Sequence, residues 1–205
     1  MTGEQLRAAL ARYVPAEAVE TCIDWIRQYN IRVRVKQSRQ SKYGDYRPPT
    51  GKTGHVITIN HDLNPYAFLL TFTHEVAHLT CFMKHRDRVA PHGHEWKAEF
   101  RGLISGFLDR GIFPPRTAVA IKNYMKNPAA TSCADVELMK ALREHDRNEE
   151  GWQVLEEVPF NAAFRLKNGM HFIKGHRLRK NYECFEIESR HKYFIHPLME
   201  VMPLS

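Results

Sequence analysis

The chain has 205 residues, 43% of them hydrophobic and 26% charged, an ordinary globular composition able to bury a sizeable core without disulfide staples. No apolar run approaches the length of a membrane span, and the opening MTGEQLRAAL lacks the basic-then-apolar pattern of a secretory signal, so the expected setting is the cytoplasm. Four scattered cysteines (Cys22, Cys81, Cys133 and Cys184) form no CxxC pair, which excludes a ribbon built on cysteine pairs and fits free thiols in a reducing compartment. The net charge of +7 points toward a polyanionic partner, nucleic acid first among them, with solvated surface charge as the plainer alternative.

Thr2 and Gln5 fit a capping box for a first helix, and Pro15 opens a second, in which Val19, Cys22, Ile23 and Ile26 form a stripe. IRVRVKQ alternates strictly: Ile31, Val33 and Val35 face one way, Arg32, Arg34 and Lys36 the other. That is a strand with one buried and one basic face. Arg39 and Lys42 continue the basic block into SRQSKYGDYRPPTGKTG, which reads as a long turn. HVITIN follows as the next strand, expected to pair antiparallel with the first across that turn. Asn64 and Pro65 then cap and open a long apolar helix to about His85. Pro91 and Gly93 break the pattern before another helix from His94 to about Leu108. PPRTAVAIKNYMKN and SCADVELMKALREHD give two more, the latter capped by Ser132.

After Asn148 the texture changes to aromatics and short alternating runs, with turns expected at Lys167-Asn168-Gly169 and Lys174-Gly175. This predicts a small all-β unit of three to five strands. Phe160, Phe164, Phe172, Tyr182, Phe185, Tyr193 and Phe194 are expected to form its core, with base stacking as their other use. Arg177, Arg179 and Lys180 form a second basic run that suits phosphate contacts.

The chemistry is concentrated in THEVAHLTCFMKHRDRVAPHGHEW, Thr73 to Trp96. HEVAH sets His74 and His78 four residues apart, on one helix face a turn from each other, where they can share a metal. Glu75 falls on the side where a metal-bound water would lie and can take its proton. A catalytic zinc needs a third protein ligand. His85 is one residue too far along for a metzincin, and Cys81 stands where that family's turn needs glycine. Glu95 and Glu99 are carboxylate candidates from the next helix. His92 and His94 flank Gly93, and the spacing does not choose between them. Tyr43, Tyr66 and His94 are the candidates for stabilising an oxyanion.

HEVAHL followed by APHGHEWKAEF resembles the SprT-like zinc metalloproteases, whose pattern is HExxH, a short insert, then HG-x-x-W or HG-x-x-F on the next helix. SKYGDYRPP, HVITIN and LNPYAFLLTFTHE carry the resemblance further, from about Leu6 to Phe113. It implies His74, His78 and His92 as ligands of one catalytic zinc ion and Glu75 as general base. It also implies an α+β fold: a zincin-like core over residues 1–148, with helices packed on a short antiparallel sheet, and a small β unit over 149–205. Many bacterial members end in a zinc ribbon. Here only Cys184 stands where a cysteine pair would be, so a degenerate, metal-free ribbon or an unrelated unit is expected, without structural zinc. The implied substrates are proteins bound or crosslinked to DNA, single-stranded or damaged and held without sequence preference, at the nucleoid. Two other functions fit the same residues: a zinc-bearing nucleic-acid-binding module without proteolysis, and a metallohydrolase of a non-protein amide.

Overall fold

The computed structural model describes residues 2–39, 42–51, 53–126, 128, 135–146 and 151–204. The chain divides into two compact units, Met1–Asp146 and Arg147–Ser205. The architecture is α+β, with a three-stranded sheet and six α-helices in the first unit and a six-stranded antiparallel sheet in the second, among the described residues.

In the first unit, α1 (Gly3–Leu10) starts at the Thr2–Gln5 capping box. A 3₁₀ turn after Pro15 leads into α2 (Val19–Gln28), which buries Val19, Cys22 and Ile23. Strand β1 (Ile31–Lys36) alternates as its sequence requires: Ile31 is buried, Val33 and Val35 half-buried, and Arg32, Arg34 and Lys36 exposed.

The pairing of β1 corrects the sequence-based expectation. β3 (His55–Asn60) lies beside β1, but parallel to it, from Ile31 opposite His55 to Lys36 opposite Asn60. The intervening segment, read as a turn, contains a third strand, β2 (Gly44–Arg47), antiparallel to β3 on its other side. β2 adds one chain reversal, so β1 and β3 must point the same way. Its four residues, GDYR, include two poor strand formers and show no apolar alternation, so nothing local announces it.

α3 (Pro65–His85) is buried almost all round from Ala67 to Ala77, as a central helix must be. Asn64 Oδ1 accepts the N–H groups of Tyr66 (3.1 Å) and Ala67 (3.0 Å). Its Nδ2 donates to the Leu142 carbonyl (2.8 Å) and Asp146 Oδ1 (2.6 Å). One residue therefore caps the central helix and ties the end of a distant helix to it. Asn64→Ala is expected to lower the unfolding free energy by about 2 kcal/mol, measurable by urea titration.

α4 (His94–Asp109) packs on α3 through Trp96, Phe100, Ile104 and Phe107. α5 (Pro115–Tyr124) begins on proline, and α6 (Val136–Arg143) is capped by Asp135, whose carboxylate accepts the Leu138 N–H at 2.9 Å. The expected cap, Ser132, lies outside the described residues. No helix among the described residues is long and apolar enough to cross a membrane.

The second unit orders its strands β4 (Gln153–Val154), β9 (Glu200–Pro203), β5 (Ala163–Leu166), β6 (His171–Arg177), β7 (Tyr182–Glu186) and β8 (Lys192–Ile195) across one sheet. The sixth strand, beyond the expected five, is β4, which at two residues is too short to show alternation. The Lys167–Gly169 turn joins β5 to β6. Lys174-Gly175 is no turn, but lies inside β6 next to a register shift. Lys174 is buried, and its Nζ donates to the carbonyls of Val158 (2.6 Å) and Glu156 (3.1 Å), 4.0 Å from the Tyr182 ring centre. Its hydrogen-bond demand is met by a neighbouring loop, which explains how a lysine enters a core.

The aromatics divide between the two sheet faces. Phe164 and Phe172 are buried with Leu155, Val158, Cys184, Ile195 and Val201. Phe160, Phe185, Tyr193 and Phe194 are exposed, contrary to the expected core role. Alternation explains two of them: Phe185 follows buried Cys184 and Phe194 precedes buried Ile195, so both point to the opposite face.

Candidate metal centre

α3 sets His74 and His78 on one face, and the loop before α4 returns His92 to meet them. The three Nε2 atoms stand 3.2 Å (His74–His92), 3.3 Å (His74–His78) and 2.9 Å (His78–His92) apart. Among the described residues this is the one group of three or more metal-capable side chains that converges. The reversal that brings His92 back is made by His92 itself, at φ 57°, whereas Gly93 has an ordinary φ of −69°. Gly93 is needed for space instead: a Cβ there would lie 2.9 Å from the Ala90 carbonyl oxygen. A non-glycine residue in the left-handed region costs about 1–2 kcal/mol, so the fold bears strain to bring this imidazole inward.

Trp96, three residues after Gly93, is buried beneath all three rings, with centroids 4.6 Å from His74, 5.2 Å from His78 and 4.6 Å from His92. It stacks in turn on Phe100. The imidazoles therefore rest on an apolar floor that fixes their tilt and keeps water from one side. On the open side lies a pocket bounded by Lys42, Tyr43, Gly44, Asp45, Tyr46 and Thr71, together with Glu75 and the three histidines.

Burial dominates the electrostatics. It holds His74 well below the usual imidazole range, with neighbouring His78 and His92 adding to the effect. His78 falls to about 4 and His92 is also lowered, in both cases mainly by burial. All three are neutral at pH 7, with lone pairs available. Glu75 is pushed up to about 8, first by burial and then by the Asp45 carboxylate, against the opposing Tyr46 backbone N–H, Lys42 and Arg39. Gly44 of β2 lies against this carboxylate, since a Cβ there would stand 2.6 Å from Glu75 Oε1 and 2.7 Å from Thr71 Cγ2.

This donor set fits a divalent cation. Nitrogens 2.0–2.1 Å from a tetrahedral ion are about 3.3 Å apart, close to the observed separations. With their protons on Nδ1, three neutral imidazoles direct three lone pairs at one point, which a cation there satisfies together.

The metal-free chain has a predictable pH response. Each histidine's folded pKa is depressed, so its contribution to stability is present above about pH 6.5 and is lost as pH falls toward the folded value, about 4 for His78. Glu75 is raised, so between about 4.5 and 8 its own contribution shrinks as pH rises. Three imidazoles outweigh one carboxyl below pH 6.5. Metal-free protein is therefore expected to lose melting temperature from pH 6.5 to 5, whereas a melting temperature that rises over that interval would contradict these assignments.

The other candidates do not join the cluster. Glu99 accepts from Lys84 Nζ at 2.6 Å, His85 ends α3, Glu95 lies in the first turn of α4, and His94 is exposed. Of the oxyanion candidates, Tyr43 lines the pocket, whereas Tyr66 packs against Phe113 and His145. Arg32, Arg34 and Lys36 make a continuous exposed face with no ion pair among the described residues. Arg39 instead bonds Asn60 Oδ1 (3.1 Å), and Lys42 pairs with Asp45 (2.5 Å). Arg177 lies over Tyr182 and 3.8 Å from Glu156, while Arg179 and Lys180 are exposed. Gly44 and the Tyr46 backbone are not identifiable as site residues from sequence, since their roles arise from long-range approach; SKYGDYRPP carries a likeness but no chemical spacing, and Trp96 is marked only as the last residue of the HG-x-x-W pattern.

Residues 16–108 match the model of the SprT-like family. This stretch is similar to the SprT-like family. No curated protein and no solved structure shows a match to the chain. The SprT-like segment runs from just before α2 into α4 and includes His74, Glu75, His78, His92 and Trp96, while the second unit lies outside it. The family match, which suggests a metalloprotease-type fold, and a three-histidine group able to hold a metal ion thus fall in one segment.

Proposed function

We propose that the chain is a zinc-dependent metallopeptidase that degrades proteins bound or crosslinked to DNA, in the cytoplasm at the nucleoid, with one catalytic ion. The observation that carries the hydrolase reading is the convergence of the His74, His78 and His92 Nε2 atoms beside a buried Glu75 at an open pocket. Zinc bound by the neutral imidazoles of His74, His78 and His92 would keep its charge, and would supply polarisation of a carbonyl and a lowered pKa for water.

The chain's own groups do the rest. Glu75, brought to its ionised form by a nearby cation, removes a proton from the attacking water and delivers it to the leaving amine. The Tyr46 N–H and the bare Gly44 backbone hold that carboxylate in place. β2 is an edge strand whose residues line the pocket, so an extended substrate segment can lie along it. Trp96 keeps solvent from beneath the imidazoles.

DNA as partner is supported by the exposed cationic face of Arg32, Arg34 and Lys36 and by Arg179 and Lys180. Lysines and arginines so placed neutralise phosphates without reading sequence. In the second unit, exposed Phe160 packs on His176 at 4.7 Å, and Phe194 is 60% exposed, both open to base stacking.

The test is cleavage of a DNA-binding protein and of a loose protein, each with and without single-stranded DNA. The expected result is zinc-dependent cleavage, stimulated by DNA and greatest for the bound substrate. Cleavage indifferent to DNA would remove the DNA-directed reading. Zinc retention with no cleavage of any protein would favour a binding module.

A further inference from the structure

Between β1 and β2 the chain crosses the end of the central strand β3. Asn60, the last residue of β3, is fully buried there. Its Nδ2 donates to the carbonyl oxygens of Arg39 (3.0 Å) and Lys42 (3.2 Å), and its Oδ1 accepts from Arg39 Nε (3.1 Å). Its backbone N–H donates to the Tyr43 carbonyl at 2.9 Å. These four bonds go to the crossing. The crossing ends at Lys42 and Tyr43, which wall the pocket beside the histidines.

We propose that Asn60 is a positioning residue for substrate: through the crossing it sets where Lys42 and Tyr43 stand over the histidine cluster. This rests on the metallopeptidase reading. The metal ligands are held from elsewhere, and the β2–β3 ladder, Gly44 opposite Ile59 to Arg47 opposite Val56, is made by main-chain groups. Loss of the amide therefore loosens the pocket wall at Lys42 while leaving the three histidines in place. The consequence is weaker substrate seating, hence a KM that rises by more than kcat falls.

The experiment compares the full-length chain with Asn60→Ala, Asn60→Asp, Arg39→Ala and, as a control in the same strand, Ile57→Val. Metal content, kcat and KM on a peptide substrate, and amide hydrogen exchange of residues 42–44 are measured. Asn60→Ala is expected to keep its metal, raise KM about tenfold and hold kcat within about twofold, the size expected for one or two lost hydrogen bonds. Asn60→Asp, which keeps the acceptor but loses both donors, should behave likewise. Arg39→Ala, which removes one bond from the other side, should raise KM less; it also serves if the Asn60 variants do not fold. Residues 42–44 should exchange faster in each. Ile57→Val should lower the melting temperature and leave KM alone. An unchanged KM, an equal shift in the Ile57→Val control, or unchanged exchange at 42–44 would overturn the assignment. Absence of peptidase activity in the unaltered chain would instead defeat the metallopeptidase reading, and the exchange measurement would still decide whether Asn60 fixes the crossing.

Discussion

A Glu75→Gln chain is expected to keep its metal ion and to lose cleavage by about 10²–10⁴-fold, the range for removal of a general base. The substitution suits the question because glutamine matches the shape and can still accept the Tyr46 N–H. It also carries no charge, which is the state that burial and Asp45 favour for Glu75 in the metal-free chain, where its pKa is pushed up to about 8. Folding at pH 7 should therefore not suffer, and a drop in activity can be assigned to proton transfer. Metal analysis beside steady-state kinetics checks both halves. Undiminished turnover with glutamine at this position would remove Glu75 from the chemistry.

The second large effect is on the metal itself. His92→Ala removes one of three converging nitrogens, and the loss of affinity is expected to exceed the roughly 10–100-fold typical of losing an outer partner. Alanine also inherits the positive φ of position 92, so reduced metal content could be blamed on strain. His92→Gly separates the two causes, since glycine relieves the strain and still lacks the ligand. Both variants should purify without metal, while His94→Ala and His85→Ala should retain it, because neither side chain belongs to the converging group. Titration with a competing chelator gives the comparison.

Much of this could be read from local sequence, because the relevant signals are local. Asn64 and Pro65 announce the start of α3, and a run of apolar residues carries it to His85. The four-residue spacing of His74 and His78 follows from helix geometry alone. Ile31, Val33 and Val35 show which face of β1 is buried. His92 is different: the spacing leaves it level with His94, and the family resemblance favours it. The structure shows why it is set apart, with His92 turned inward at positive φ over Trp96 and His94 exposed on the first turn of α4.

What was not legible depends on contacts between distant segments. The parallel pairing of β1 and β3 follows from β2, whose four residues, GDYR, become a strand only because β3 offers them an edge. Gly44 reads as a turn glycine until Glu75 is seen against it, and Asn60 reads as the polar end of a strand until the crossing is seen above it. In the second unit, alternation shows that aromatics fall on both faces, but not which face is covered, so Phe164 and Phe194 look alike in sequence.

The central claim is that His74, His78 and His92 hold one zinc ion with a position left open. X-ray absorption at the zinc edge of the purified chain tests this most directly. The predicted spectrum shows three imidazole nitrogens and one further light atom, all at about 2.0–2.1 Å. Sulfur scattering at about 2.3 Å, a six-oxygen shell, or a folded chain that retains no zinc would contradict it.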